Sequence, residues 1–127
     1  QLPNPPRMPI IVWQDGYGNL KTSMTLAQAR ESGWEPDSML TVMVAGKRRA
    51  RAQCAPSIMG VRWGQLAFAP GSSGDPKDPY MEFAVRTTGP DCRLSGAHSL
   101  GYPQPGMYFS VRLFLAKGSD ARRPLRA

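Results

Sequence analysis

The sequence predicts a mainly β domain: an antiparallel sandwich or small barrel of six or seven strands, with one short helix at about residues 26–32. Three observations carry that expectation. Apolar residues recur with period two, Gly and Pro punctuate the chain at short intervals, and one stretch alone has both helix start and stop signals. The 127 residues fit one core, since a single domain takes about 100–150 residues. Thirteen Gly and thirteen Pro stay below the ~25–30% that marks a low-complexity chain. Apolar runs such as Ile10-Ile11-Val12-Trp13 fall far short of the ~18–20 residues of a membrane-spanning helix. Collagen, coiled-coil and transmembrane classes are thereby excluded.

Residues 1–9 read as a Pro-rich N-terminal arm, 10–117 as a single β-rich domain, and 118–127 as a basic C-terminal tail. The arm, Leu2-Pro3-Asn4-Pro5-Pro6-Arg7-Met8-Pro9, favours an extended polyproline-like path. Pro9 to Gln14 is β-branched and aromatic, and predicts a strand. Asp15-Gly16-Tyr17-Gly18-Asn19 is a turn, and Leu20 to Met24 returns antiparallel. A phosphate-binding glycine loop would need a helix directly behind it, and a second short strand intervenes. Thr25 and Gln28 then match a capping box, with Gly33 as the stop, which predicts a helix over Leu26–Ser32. Trp34 is expected to anchor the helix end on the sheet.

Met39 to Ala45 is apolar on both faces apart from Thr41, the pattern of a central covered strand. Val61 to Phe68 predicts another strand, and Ala69 to Pro79, rich in Pro, Gly and Ser, a mobile loop. Tyr80 to Thr87 alternates, with Met81, Phe83 and Val85 inward and Glu82 and Arg86 outward. Thr88 to Gly106 reads as a second long loop. In Met107 to Ala116 every odd position is apolar, which makes it the strongest strand signal in the chain.

Charge is the next constraint. Sixteen Lys and Arg against nine acids give +7, concentrated in Lys47-Arg48-Arg49-Ala50-Arg51 and Arg122-Arg123-Pro124-Leu125-Arg126. Such clusters are either a solvated basic loop and a disordered basic tail or contacts to a polyanion or protein partner. Lys47, Arg48, Arg49, Arg51, Arg62, Trp63, Tyr108, Arg112, Arg122 and Arg123 are therefore the candidate contact residues. Tyr108, Ser110 and Arg112 share one face of the last strand, and aromatics beside Arg suit base stacking and phosphate contact. The same residue types are enriched at protein interfaces.

Cys54 and Cys92, each beside turn residues, predict one disulfide, as in small exported domains. Gln1, with no methionine before it, is expected to mark a processed N-terminus. Metal is not expected, because the spacing has no CxxC pair and His98 is the single histidine. A cysteine nucleophile with His98 as base and Asp91 or Gln104 as orienting group has the residue types but poor positions. No GxSxG elbow occurs. Catalytic residues and cofactors are accordingly expected to be none. The sequence thus predicts a non-enzymatic binding or assembly module of an extracytoplasmic or surface complex. Its arm and basic segments would contact a protein partner or further copies. The alternative is a basic nucleic-acid-binding protein, such as a virion or nucleoprotein component.

Overall fold

The computed structural model describes residues 8–87 and 94–114. The prediction of a mainly β fold with a short helix holds. Seven strands form one sheet: β1 (Ile11–Gln14), β2 (Leu20–Thr25), β3 (Met39–Val44), β4 (Lys47–Cys54), β5 (Leu66–Asp75), β6 (Asp78–Val85) and β7 (Phe109–Leu113). Two short helices, α1 (Leu26–Glu31) and α2 (Gly96–Ser99), and a 3-10 turn at Ile58–Gly60 complete it. The order across the sheet is β1-β2-β6-β5-β4-β3-β7. The sheet curls until its ends meet, through an Ile10–Tyr108 bridge and the bonds Ile11 N–H to Met107 O (2.9 Å) and Phe109 N–H to Pro9 O (3.0 Å). The sheet is mixed rather than wholly antiparallel, because β4 and β5 run parallel.

The β1–β2 turn forms as the sequence predicts. Asp15 Oδ1 accepts from the Tyr17 and Asn19 amides at 2.9 and 3.0 Å, so the aspartate organises the turn around its own side chain. The capping box at α1 is complete: Thr25 Oγ1 accepts from the Gln28 amide, and Gln28 Oε1 accepts from the Thr25 amide. Trp34 is buried, and its indole N–H donates to Phe68 O at 2.8 Å, tying the end of α1 to β5.

The period-two patterns select the interior. Met81, Phe83 and Val85 of β6 are buried, as are Leu40, Val42 and Val44 of β3 and Phe109 and Val111 of β7. Phe68 and Phe83 stack at 4.4 Å between ring centroids, and Phe109 meets Phe83 edge-on at 5.4 Å. Each such ring, if truncated to Ala, removes about 3–5 kcal/mol of packing. Ala97 and Leu100, on and just after α2, are buried against the same core.

Four segments depart from the sequence reading. The basic cluster is not a loop: Ala45 and Gly46, with φ of 49° and 80°, turn β3 directly back into β4. Residues 69–79 form an extended hairpin of β5 and β6 closed at Asp75↔Asp78, because backbone pairing needs no large apolar side chains. The strand expected from Val61 begins only at Leu66. Val61 is buried with Ala55 and Ala67, while Arg62 to Gln65 turns, with the Gly64 amide donating to Arg86 O at 2.7 Å. The long loop from Thr88 also contains α2, capped by Ser95 Oγ accepting from the His98 amide.

Candidate functional site: a basic half-strand

β4 has two halves with different neighbours. Along its whole length it pairs with β3, from Met39↔Gln53 to Val44↔Lys47. Its other edge meets β5 only at Gln53↔Ala67 and Cys54↔Phe68. Among the described residues, nothing hydrogen-bonds the backbone of Lys47–Arg51 on that second edge. β5 pairs onward with β6 instead, over Leu66↔Val85 to Asp75↔Asp78. A groove of about 450 Å³ follows the half-strand and is lined by Arg48, Arg49, Ala50 and Arg51.

Within this half, residues alternate. Ala50 pairs with inward-facing Val42 and is half-buried, whereas Arg51 pairs with Thr41 and is exposed. The register shifts between Val42 and Met43, leaving Arg49 as an extra residue between Ala50 and Arg48. Bulges of this kind re-aim a side chain, and the Arg49 guanidinium lies beside Gly101, just beyond α2. The outer face continues onto β7, because Thr41 also pairs with Arg112 and Met43 with Ser110. Arg51 and Arg112 therefore stand two strands apart across Thr41, about 10 Å between backbones. The Arg51 guanidinium lies 3.9 Å from the centroid of Phe114, a cation–π contact that holds its stem over the sheet.

Among the described residues, Lys47, Arg48, Arg49, Arg51 and Arg112 have no acidic partner; the ion pairs present join Lys21 to Asp15 (3.9 Å) and to Glu82. Among the described residues, this pattern leaves the charge of β4 uncompensated.

The candidate residues read from the sequence fall into three groups. Lys47, Arg48, Arg49, Arg51, Arg112 and Tyr108 are brought to one region by β4, β3 and β7, and Tyr108 is 57% exposed. Arg62 and Trp63 are exposed but belong to the turn before β5; Trp63 does not sit on a strand face. Its ring lies under Arg86 at 4.4 Å, and Arg86 Nη1 donates to Met59 O and Val61 O, so this arginine fastens the turn. Arg122 and Arg123, with the arm residues 1–7 and Cys92, lie outside the described residues.

The disulfide expected at Cys54 is not formed: Cys54 is a free thiol, fully buried in the core cluster. Burial pushes its pKa up to about 11, and a hydrogen bond to the Glu35 backbone opposes part of that rise. A buried thiol held neutral is a poor nucleophile. His98 packs edge-on against Tyr102, with ring centroids 5.9 Å apart. Among the described residues no cluster of three His, Cys, Asp or Glu has the makings of a metal site, and no helix is long and apolar enough to cross a membrane.

Two signals for this site were present in the chain. Ala50, Ala52 and Cys54 alternate with Arg51 and Gln53, a period-two pattern built from small residues, and Gly46 sits at the tip of the turn. Neither Phe114 as the support of Arg51 nor the bulge at Arg49 has a sequence signature.

No family model and no curated protein matches the chain. Among solved structures, the chain is similar to an "uncharacterized conserved protein from Thermotoga maritima", with a TM-score of 0.62 and 22% identity. The match covers 81% of this chain but only 35% of that protein, so the shared architecture is one portion of a longer chain. At this identity the likeness extends to the fold.

Proposed function

We propose that the protein is a non-enzymatic binding or assembly module whose basic strand β4 contacts a partner. The observation that carries this reading is the set of exposed cations Lys47, Arg48, Arg49 and Arg51, which among the described residues have no acidic partner and sit on a half-strand with one edge unpaired. Sheet edges are normally covered or blunted by charge, because their free N–H and C=O groups pair readily with another chain. Positive charge here blunts the edge toward most chains and attracts an acidic one. Cys54 is buried with a raised pKa, which supports a binding role over a thiol hydrolase built on that residue. The reading is independent of compartment.

A nucleic-acid role has one specific observation behind it: the Arg51–Thr41–Arg112 row with Ser110 and exposed Tyr108 beyond it. Base stacking on a sheet uses several exposed rings in succession. Here Phe114 is covered by Arg51, which leaves Tyr108 as the exposed ring on that part of β7. Salt dependence separates the two roles. Single-strand binding through phosphates loses about 0.7 log units of affinity per contact for each log unit of salt. The module reading predicts oligonucleotide binding only at low salt. Submicromolar binding at physiological salt, abolished by replacing Arg48, Arg49 and Arg51 with Gln, would overturn it.

A further inference from the structure

We infer that the open edge of β4 receives an extended acidic segment of a partner protein, which adds to the sheet beside Lys47–Arg51. The inference rests on the binding-module reading and names the partner's chemistry. Two features point to strand addition rather than to a face-bound ligand. The groove is lined by residues of this one half-strand, Arg48 to Arg51, whose second edge carries no backbone partner among the described residues. Among the described residues the sheet has a vacant position there, because β5 accompanies β4 only at Gln53 and Cys54. A peptide at such an edge gains main-chain hydrogen bonds for affinity and side-chain pockets on alternate residues for specificity.

Charge and alternation then specify the occupant. Positions beside Arg51 and Arg48 on the outer face face guanidinium groups without acid partners, and call for Asp or Glu. Positions beside half-buried Ala50, on the inner face, call for small apolar residues such as Val or Ala. The pattern is acidic–apolar alternation over about five or six residues. A second copy is a poor occupant. Its net charge is +7, and β6, the described strand with two acids (Asp78 and Glu82), is already paired with both β2 and β5.

The test uses the full chain at physiological salt and three fluorescein-labelled probes, read by anisotropy. They are an eight-residue peptide of alternating Glu and Val, the same peptide N-methylated at every Val, and an oligothymidine of matching charge. The expected result is saturable binding of the first peptide. N-methylation, which deletes backbone donors and keeps the charges, weakens it by about tenfold or more, the sum of a few hydrogen bonds. R48E/R49E/R51E weakens it at least as much, while an equivalent reversal at the remote Arg30 leaves it unchanged. Absence of peptide binding, or equal affinity for both peptides, overturns strand addition and leaves the module reading standing. Tighter binding of the oligothymidine overturns both. Dimerisation in sedimentation that the peptide does not disrupt also overturns the inference, since the edge would then be occupied by a copy.

Discussion

Raising the pH exposes how Cys54 is held. Its thiol is fully buried, and burial lifts its pKa from 9.0 to about 11. A folded-state pKa above the unfolded value means that the native protein holds the proton more tightly. The resulting stabilisation is complete below about pH 9 and is lost as the pH rises through about 11. Between about pH 8 and pH 10.5 the chain therefore loses on the order of 2 kcal/mol from this group. Lysines and tyrosines titrate over the same range, so the measurement is a difference against Cys54→Ala, in which those contributions cancel. Urea unfolding at both pH values, under reducing conditions, reads the effect. With slopes of about 1–3 kcal/mol/M for small proteins, the midpoint of the wild type falls by roughly 1 M more than that of Cys54→Ala. Equal pH dependence in the two proteins would refute the argument, and an intact mass that rises by two hydrogens on reduction would refute the free thiol beneath it.

Other perturbations test the frame that presents β4. Trp34→Phe keeps the ring and removes the indole donor to Phe68 O, which retains the Ala55 amide at 3.4 Å; losing that one bond costs about 0.5–1.5 kcal/mol in thermal or urea unfolding. Gly96→Ala places a Cβ against the Phe83 carbonyl, 2.9 Å from its carbon, and destabilises by about 1–3 kcal/mol through displacement of α2. In hydrogen exchange, half of the Lys47–Arg51 amides exchange quickly while those of Leu40–Val44, flanked by β4 and β7, stay protected.

Large side chains made much of the architecture legible. Met81, Phe83 and Val85 alternate with polar neighbours, and Leu40, Val42 and Val44 sit in a run with few polar interruptions, so their strands can be read by eye. The capping box at Thr25 and Gln28 likewise writes its geometry into residue types. β4 escaped because its inward residues are Ala50, Ala52 and Cys54, whose burial is small and whose β-preference is weak. The distal β5–β6 hairpin escaped for a related reason: its pairing is carried by backbone, and Gly, Ser and Pro there resemble a loop. The basic residues were identified as a cluster, but their setting on a strand with one open edge depends on where β5 leaves β4, a property of topology. Leu113 shows the converse limit. It keeps the apolar rhythm of β7 and pairs with buried Leu40, yet as the last residue of β7 it is exposed. The residue type of Cys54 points to a crosslink, while its position opposite Phe68 makes it a core residue.

The central claim is that Lys47–Arg51 forms an unpaired, acid-seeking strand edge, and backbone amide shifts during titration with the alternating Glu–Val peptide test it most directly. The account predicts that the largest changes, and new protection from exchange, fall on the amides of Lys47 to Arg51, with little change along Met81–Val85. Perturbation centred instead on the Tyr108–Arg112 face, without protection of the β4 amides, would contradict it.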